Sequence, residues 1–165
     1  MTYASPRTDE EIAEIYTRHR KMLFRVCFAY MKNPMDTEDA VQETFLHLVR
    51  SGPAFVSAEH EKAWLIRTAS NICKNALRHW WRKRENIEDY RDLQSEERVE
   101  TDEVFQAVMD LPEKYKTMVY LYYYEGYTGA EIAGILNKPK STIRNHLREA
   151  RVFLKERLGD DFRDE

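Results

Sequence analysis

Helical periodicity is the feature of this sequence that most restricts its fold. Apolar residues recur every three or four positions along most of the chain, and no stretch alternates polar and apolar residues as a strand would. Glycine, which interrupts helices, occurs only five times in 165 residues. A chain of this length can form one ordinary domain or two small ones. The sequence therefore predicts an all-α protein.

The N-terminal half predicts three helices that can close a small core. The first ends at Asn33-Pro34, because proline lacks a backbone donor and clashes with the preceding turn. The second begins with Asp36 as its N-cap and stops near Gly52. A loop over 51–60 precedes the third helix, which we expect to start near residue 61 and to reach residue 84.

Charge is sorted into blocks, although the net charge of the chain is only −3. Residues 62–84 contain seven lysines and arginines and no acid, whereas 85–113 contain eleven acids and two arginines. Residues 138–158 again contain seven cations against two acids. Blocks of like charge repel one another and are commonly kept apart for a partner. The acidic, apolar-poor segment 86–102 has the composition of a flexible linker between two small helical domains.

The C-terminal pattern fits a helix-turn-helix, with a turn at 137–139 between two short helices. The first helix is expected to bury Ala130, Ile132, Ala133, Ile135 and Leu136, and the second to bury Ile143, Leu147, Ala150 and Leu154. The outward side of the second helix would present polar and cationic side chains that can reach base edges and phosphates in a DNA major groove. These candidates are Lys140, Ser141, Thr142, Arg144, Asn145, Arg148 and Arg151. The alternative is a solvated basic face without a ligand.

The predicted helix 61–84 offers a second surface for nucleic acid. Its cations can hold a phosphate backbone while aromatic faces stack on unpaired bases. The alternative is that its tryptophans belong to the core, as the position of Trp80 on the apolar side suggests. The candidates are Trp64, Arg67, Asn71, Lys74, Asn75, Arg78 and Arg82.

No residue cluster in the sequence predicts catalysis, a cofactor or a metal site. Cys27 and Cys73 are expected to be buried, reduced thiols, and the five histidines to be structural or solvated. We see no signal peptide, and no apolar run approaches the roughly 18 residues of a membrane helix. We therefore expect a cytoplasmic protein that is not an enzyme and is not inserted in a membrane.

Three segments, in this order, resemble the extracytoplasmic-function (group IV) sigma factors of bacterial RNA polymerase, in the sigma-70 family. They are DTEDAVQETFLHLV, KAWLIRTASNICKNALRHWWRKR and LPEKYKTMVYLYYYEGYTGAEIAGILNKPKSTIRNHLREAR. The resemblance covers roughly residues 11–158. It implies a three-helix sigma region 2 at 8–85, the acidic linker at 86–102, and a helix-turn-helix sigma region 4 at 103–160. Asn137 occupies a turn position that often holds glycine in the family.

The resemblance also implies a role for each surface. Region 2 would bind the β′ clamp helices of the polymerase core and capture a flipped-out base of the −10 promoter element, with Phe55 joining the candidates of the basic helix. Region 4 would read the −35 element as duplex DNA and contact the β flap. An anti-sigma factor is implied as a further partner, covering the polymerase-binding faces. The residues implied in binding the polymerase are Asp39, Gln42, Glu43, Phe45 and Leu46.

Two other functions remain open from the sequence. A stand-alone helix-turn-helix regulator would bind duplex DNA tightly without polymerase. A helical adaptor or inhibitor would use its basic faces to hold acidic proteins and would direct no transcription.

Overall fold

The computed structural model of the protein describes residues 7–83 and 103–159, with side chains described up to residue 79 in the first range. Over these residues the chain forms seven helices and no strand, which confirms the all-α prediction. The chain divides into two compact units. The first contains α1 (Asp9–Met31), α2 (Pro34–Ser51) and α3 (Ala58–Lys83); the second contains α4 (Glu103–Met109), α5 (Glu113–Tyr123), α6 (Gly129–Leu136) and α7 (Lys140–Leu158). The acidic segment 86–102 lies outside the described residues, and the predicted domain boundaries stay predictions.

The first unit is a three-helix core in which every helix contacts the other two. Leu23, Leu48 and Leu65 are fully buried at its centre, and each such side chain contributes about 1.5–3 kcal/mol through the hydrophobic effect. Cys27 and Cys73 are buried free thiols, as expected. A hydrogen bond with Cys73, together with burial, raises the pKa of the Cys27 thiol well above its usual value, so this group stays protonated.

The start of α2 differs from the prediction, because Asn33 rather than Asp36 is the N-cap. The Asn33 side chain accepts a hydrogen bond from the Asp36 backbone N–H at 2.9 Å and donates one to the Asp36 carboxylate at 2.7 Å. Pro34 therefore opens the second helix as well as following the first. Its missing N–H is no loss there, since the first backbone donors of a helix have no intrahelical partner.

The start of α3 also differs, because the helix begins at Ala58, earlier than predicted, and leaves a loop of residues 52–57. The Ser57 hydroxyl accepts a hydrogen bond from the His60 backbone N–H at 3.0 Å and so supports the first turn. Glu61 in that turn is buried, where its Oε2 atom lies 2.7 Å from both Arg18 Nη1 and His19 Nε2. This cluster fixes the beginning of α3 against α1, and His19 has the structural role expected of it.

The second unit is organised around α7, which packs against α4, α5 and α6. Ile143, Leu147, Ala150 and Leu154 are buried as predicted. In α6 the four other predicted residues are buried, but Ala130 is exposed. The first turn of α6 instead approaches α7 at Gly129, where an added Cβ would lie 3.8 Å from Ile143 Cγ2.

Both ends of α6 are defined by local chemistry. At its start the Thr128 hydroxyl accepts from the Glu131 backbone N–H at 3.1 Å, and the Glu131 carboxylate accepts from the Thr128 N–H at 3.0 Å. This is a reciprocal capping box. At its end Asn137 adopts the left-handed conformation with φ 55°, which asparagine tolerates better than most residues. Asn137 thus adopts the left-handed turn conformation that glycine often provides, and this turn sets the angle at which α7 begins.

Candidate nucleic-acid interface

The outward face of α7 is the first basic surface. Lys140, Ser141, Arg144, Asn145 and Arg148 are exposed, whereas the opposite side of the helix is buried. Positions 141, 145 and 148 are spaced by four and three residues and so lie on one side of the helix. The buried side fixes the helix axis, so the exposed side chains project from a rigid element.

Two of the predicted α7 residues are only half-exposed. Thr142 is partly covered, and the guanidinium carbon of Arg151 lies 6.0 Å from the ring centroid of Tyr122. Arg148 Nη2 donates to Asn145 Oδ1 at 3.2 Å, which joins two exposed side chains of the face. The structure therefore brings Asn145 and Arg148 together and holds Arg151 closer to the body of the unit.

Glu149, the residue after Arg148 on α7, contacts α5. Tyr115 Oη donates to Glu149 Oε2 at 2.5 Å, and this hydrogen bond lowers the pKa of the Glu149 carboxyl. The Tyr115 ring also lies 5.4 Å from the His146 ring. Half-buried His146 therefore packs toward α5 rather than standing on the stripe of 141, 145 and 148.

The polar side of α3 is the second basic surface. Arg67, Asn71, Asn75 and Arg78 are exposed, and Trp64 and Lys74 are half-buried. Spacings of three and four residues place Trp64, Arg67, Asn71, Lys74 and Arg78 along one side, over about 21 Å at 1.5 Å per residue. The side chain of Arg82, another predicted member, lies outside those that the structure describes.

The loop 52–57 ends beside the start of this surface. The half-buried Phe55 ring lies 5.8 Å from the Trp64 ring and 5.2 Å from the His60 ring. Val56 is 89% exposed next to it, and the Val56 backbone N–H donates to His60 Nδ1 at 3.2 Å. The structure thus joins Phe55 and Trp64 into one aromatic patch, with the apolar Val56 side chain presented to solvent beside it.

The outward side of α2 carries an exposed stripe that is apolar at both ends. Met35, Leu46 and Val49 are 60%, 44% and 56% exposed, and the exposed polar residues Asp39 and Gln42 lie between them. Spacings of three and four residues put all five on one side of the helix. Glu43, another predicted member, is half-exposed beside them. Met35 and Val49 were missing from the sequence-based prediction, although their heptad spacing was visible in it.

Phe45 requires a correction. It is 7% exposed and its ring meets that of Tyr16 edge-on at 4.9 Å between centroids. The side of α2 that packs on α1 needs a large apolar group at this position. Phe45 is therefore a core residue and does not belong to the exposed stripe.

The fold and its surfaces define a helical DNA-binding protein, in which a helix-turn-helix unit follows a three-helix unit with a basic helix. The family described as Sigma-70 region 2 matches residues 15–85, and that described as Sigma-70, region 4 matches residues 101–154. The chain belongs to the sigma-70 family.

Curated relatives agree with this membership. The chain is 27% identical over 146 residues to RNA polymerase sigma factor SigV of Bacillus subtilis, with 86% of this chain and 87% of SigV aligned. It is 27% identical over 184 residues to the ECF RNA polymerase sigma-E factor of Haemophilus influenzae, with 94% and 97% aligned. The alignments therefore span both units and the segment between them.

Solved structures share the fold. The sigma factor RpoE of Bartonella quintana, in complex with the anti-sigma factor NepR, superposes with a TM-score of 0.71 at 19% identity over 93% of this chain and 97% of RpoE. CnrH, in complex with the cytosolic domain of CnrY, gives 0.62 at 18% identity over 94% and 92%. Across 7–83 and 103–159, no helix is long and apolar enough to cross a membrane.

Proposed function

We propose that this chain is a promoter-specificity subunit of bacterial RNA polymerase, an extracytoplasmic-function sigma factor that acts in the cytoplasm and catalyses no reaction itself. The observation that carries the proposal is the presence of two exposed basic helical faces, one in each unit, where the family has its two promoter-reading regions. A single DNA-binding regulator would need only the second face. The exposed stripe on α2 supplies a third surface of different chemistry.

The face of α7 reads the −35 element in duplex form. Asn145 and Arg148 can make bidentate contacts with adenine and guanine, and each such contact discriminates by about 1–3 kcal/mol. Lys140 and Arg144 hold phosphates, which adds affinity without sequence preference. The remaining candidates, Ser141, Thr142 and Arg151, support these contacts from the same helix.

The face of α3 and the loop 52–57 hold the melted −10 strand. Extruding a base costs a few kcal/mol of stacking, and one base stacked on an aromatic side chain recovers about 1–3 kcal/mol. The patch of Phe55 and Trp64 provides that aromatic surface at one end of a row of cations and amides. Asn71 and Asn75, exposed along the row, can hydrogen-bond the captured base.

The α2 stripe binds the polymerase core at the β′ clamp helices. Leu46 and Val49 form an exposed apolar end of the stripe beside polar Gln42, and exposed apolar groups bordered by polar residues are typical of a protein interface. An anti-sigma factor that covered Leu46 and its neighbours would keep the chain from the polymerase. The structure of RpoE with the anti-sigma factor NepR, which shares the fold, supports a partner of this kind.

The test is a reconstitution with bacterial core polymerase. Transcripts from genomic DNA are mapped with core alone, with core plus this chain, and with core plus a Leu46→Glu variant. We expect a defined set of start sites only with the unmodified chain. Tight binding of the chain to duplex DNA without core, combined with no new start sites, would instead identify a stand-alone regulator. No start sites and no DNA binding would identify an adaptor.

A further inference from the structure

We propose that Arg7 is a positioning residue for −10 recognition, because it fixes the loop 52–57 that carries Phe55. The proposal rests on the proposed function of that loop. Arg7 precedes α1 and lies 45 residues before Gly52, so no local sequence pattern links the two.

One guanidinium group makes three contacts with the loop. Nη1 of Arg7 donates to the Gly52 carbonyl oxygen at 3.1 Å, and Nη2 donates to the carbonyl oxygen of Pro53. The guanidinium carbon also lies 4.8 Å from the centroid of the Phe55 ring. The planar fork of arginine can satisfy two adjacent carbonyls while its face rests on an aromatic ring, which lysine cannot do.

The backbone of Arg7 is held in place by the start of α1, which follows it in the chain. The Thr8 hydroxyl accepts from the Glu11 backbone N–H at 3.1 Å, in the capping box that begins α1. Because α1 is part of the three-helix core, the backbone of Arg7 is anchored next to a rigid helix end. The arginine therefore transmits the position of α1 to the loop.

The space around Gly52 is shaped for this contact. A Cβ at residue 52 would lie 2.9 Å from Arg7 Nη1 and 2.6 Å from the Leu48 carbonyl oxygen, closer than real Cβ contacts allow. Glycine at the end of α2 thus permits the guanidinium to approach the backbone.

The far end of the loop is fixed independently. The Val56 backbone N–H donates to His60 Nδ1, the His60 backbone N–H donates to the Ser57 hydroxyl, and the His60 ring packs against Phe55. With Arg7 at one end and His60 at the other, the ring of Phe55 has little freedom. Ordering the loop before DNA arrives removes part of the entropy cost of capturing a base. Loss of Arg7 should therefore weaken capture of the melted strand and leave the other functions of the chain unchanged.

The test compares Arg7→Ala with Arg20→Ala in holoenzyme. Arg20 is a matched control, since its guanidinium also lies over an aromatic ring in the same unit, that of Tyr16 at 5.8 Å, away from the loop. The probe is a DNA with a duplex −35 region and a single-stranded −10 region, taken from a promoter mapped in the reconstitution. We expect Arg7→Ala to bind it about ten-fold more weakly than wild type and Arg20→Ala to bind like wild type. Affinity for core polymerase and for a duplex −35 fragment should not change in either variant.

Two further variants separate positioning from general destabilisation. Arg7→Lys keeps the charge but loses the double hydrogen bond, so we expect an intermediate loss. In a Phe55→Ala background, Arg7→Ala should add little, because the two residues act through one contact. Equal binding by Arg7→Ala and Arg20→Ala, or a loss of core affinity as large as the loss on the −10 probe, would overturn the inference.

Failure of the proposed function gives a different result. If the wild-type chain directs no initiation, amide hydrogen exchange over 54–57 in the free protein decides whether Arg7 fixes the loop. Faster exchange in Arg7→Ala than in Arg20→Ala supports the positioning role, and equal exchange overturns it.

Discussion

Replacing Asn145 with alanine should weaken and relax recognition of the −35 element without destabilising the unit. Asn145 is exposed on α7, and its hydrogen bond with Arg148 spans 3.2 Å at the surface. Surface substitutions of this kind change the free energy of unfolding by about 0.5 kcal/mol or less. A lost bidentate contact with adenine costs about 1–3 kcal/mol of binding, or roughly 5- to 140-fold in affinity. The two ranges do not overlap, so a stability measurement and a binding measurement together identify the role.

The assay measures holoenzyme binding to −35 duplexes in which each position carries all four bases in turn. We expect the Asn145→Ala variant to lose its preference at one position and to keep its preferences elsewhere. Arg157→Ala is the matched control on the same helix, since Arg157 is exposed and pairs with Asp110 at 2.5 Å. Removing an exposed pair costs about 0–1 kcal/mol of stability, and the control should leave base preference intact.

The salt dependence of binding separates base contacts from phosphate contacts. Loss of a phosphate contact reduces the slope of log affinity against log salt by about 0.9, whereas loss of a base contact leaves the slope unchanged. We expect an unchanged slope for Asn145→Ala and a smaller slope for Arg144→Ala. An Asn145→Ala variant with wild-type preference at every position, or with a uniform loss across all duplexes, would refute the assignment of this residue as a base reader.

Three further predictions concern the other surfaces. Glu61→Gln should lower the free energy of unfolding of the first unit by about 1.5–3 kcal/mol in urea titrations, because it removes the charge that buried His19 contacts; an unchanged midpoint would contradict this. Hydrogen bonds from the Thr128 backbone N–H and hydroxyl lower the pKa of Glu131 below 4.5, so its stabilisation is present above that pH and is lost as pH falls through the lower folded-state pKa. Glu131→Gln should therefore remove that part of the acid sensitivity of the second unit. Leu46→Glu should weaken binding to core polymerase without lowering the melting temperature, since Leu46 is exposed; wild-type affinity would exclude this stripe as the docking site.

The helices could be predicted from the sequence because burial repeats with the helical period. On α7 the spacing of Ile143, Leu147 and Leu154 predicts a single buried side of the helix, and all three residues are buried in the structure. Helix starts were harder, since capping is decided by one or two side chains. Asn33 and Asp36 are both good N-caps, and the deciding fact is that Pro34 fits best at the first helical position.

The candidate site was predictable where it lies on a helix and not where it depends on the tertiary fold. The exposed members of α3 and α7 follow from periodicity alone. Phe45 joined the polymerase-binding set through the family resemblance alone, whereas its spacing on α2 places it with the buried residues Val41 and Leu48. The contact of Arg7 with the loop could not be predicted at all, because it joins residues 45 positions apart and depends on how the start of α1 lies beside the end of α2.

Segregation of charge explains how a chain with net charge −3 can act on DNA. Binding to a polyanion depends on the cations that touch phosphates rather than on the total charge, so the cations of residues 62–84 can act on DNA while the acids of 85–113 lie elsewhere in the sequence. Each face alone makes few contacts and should bind weakly at cellular salt. Two weak sites on one chain reinforce each other once the first is engaged, because the second then binds at a high effective concentration. A variant that exchanged the basic residues of α7 with acids of the segment 86–102 would keep the net charge and lose this second site, so its promoter affinity should fall to that of the first unit.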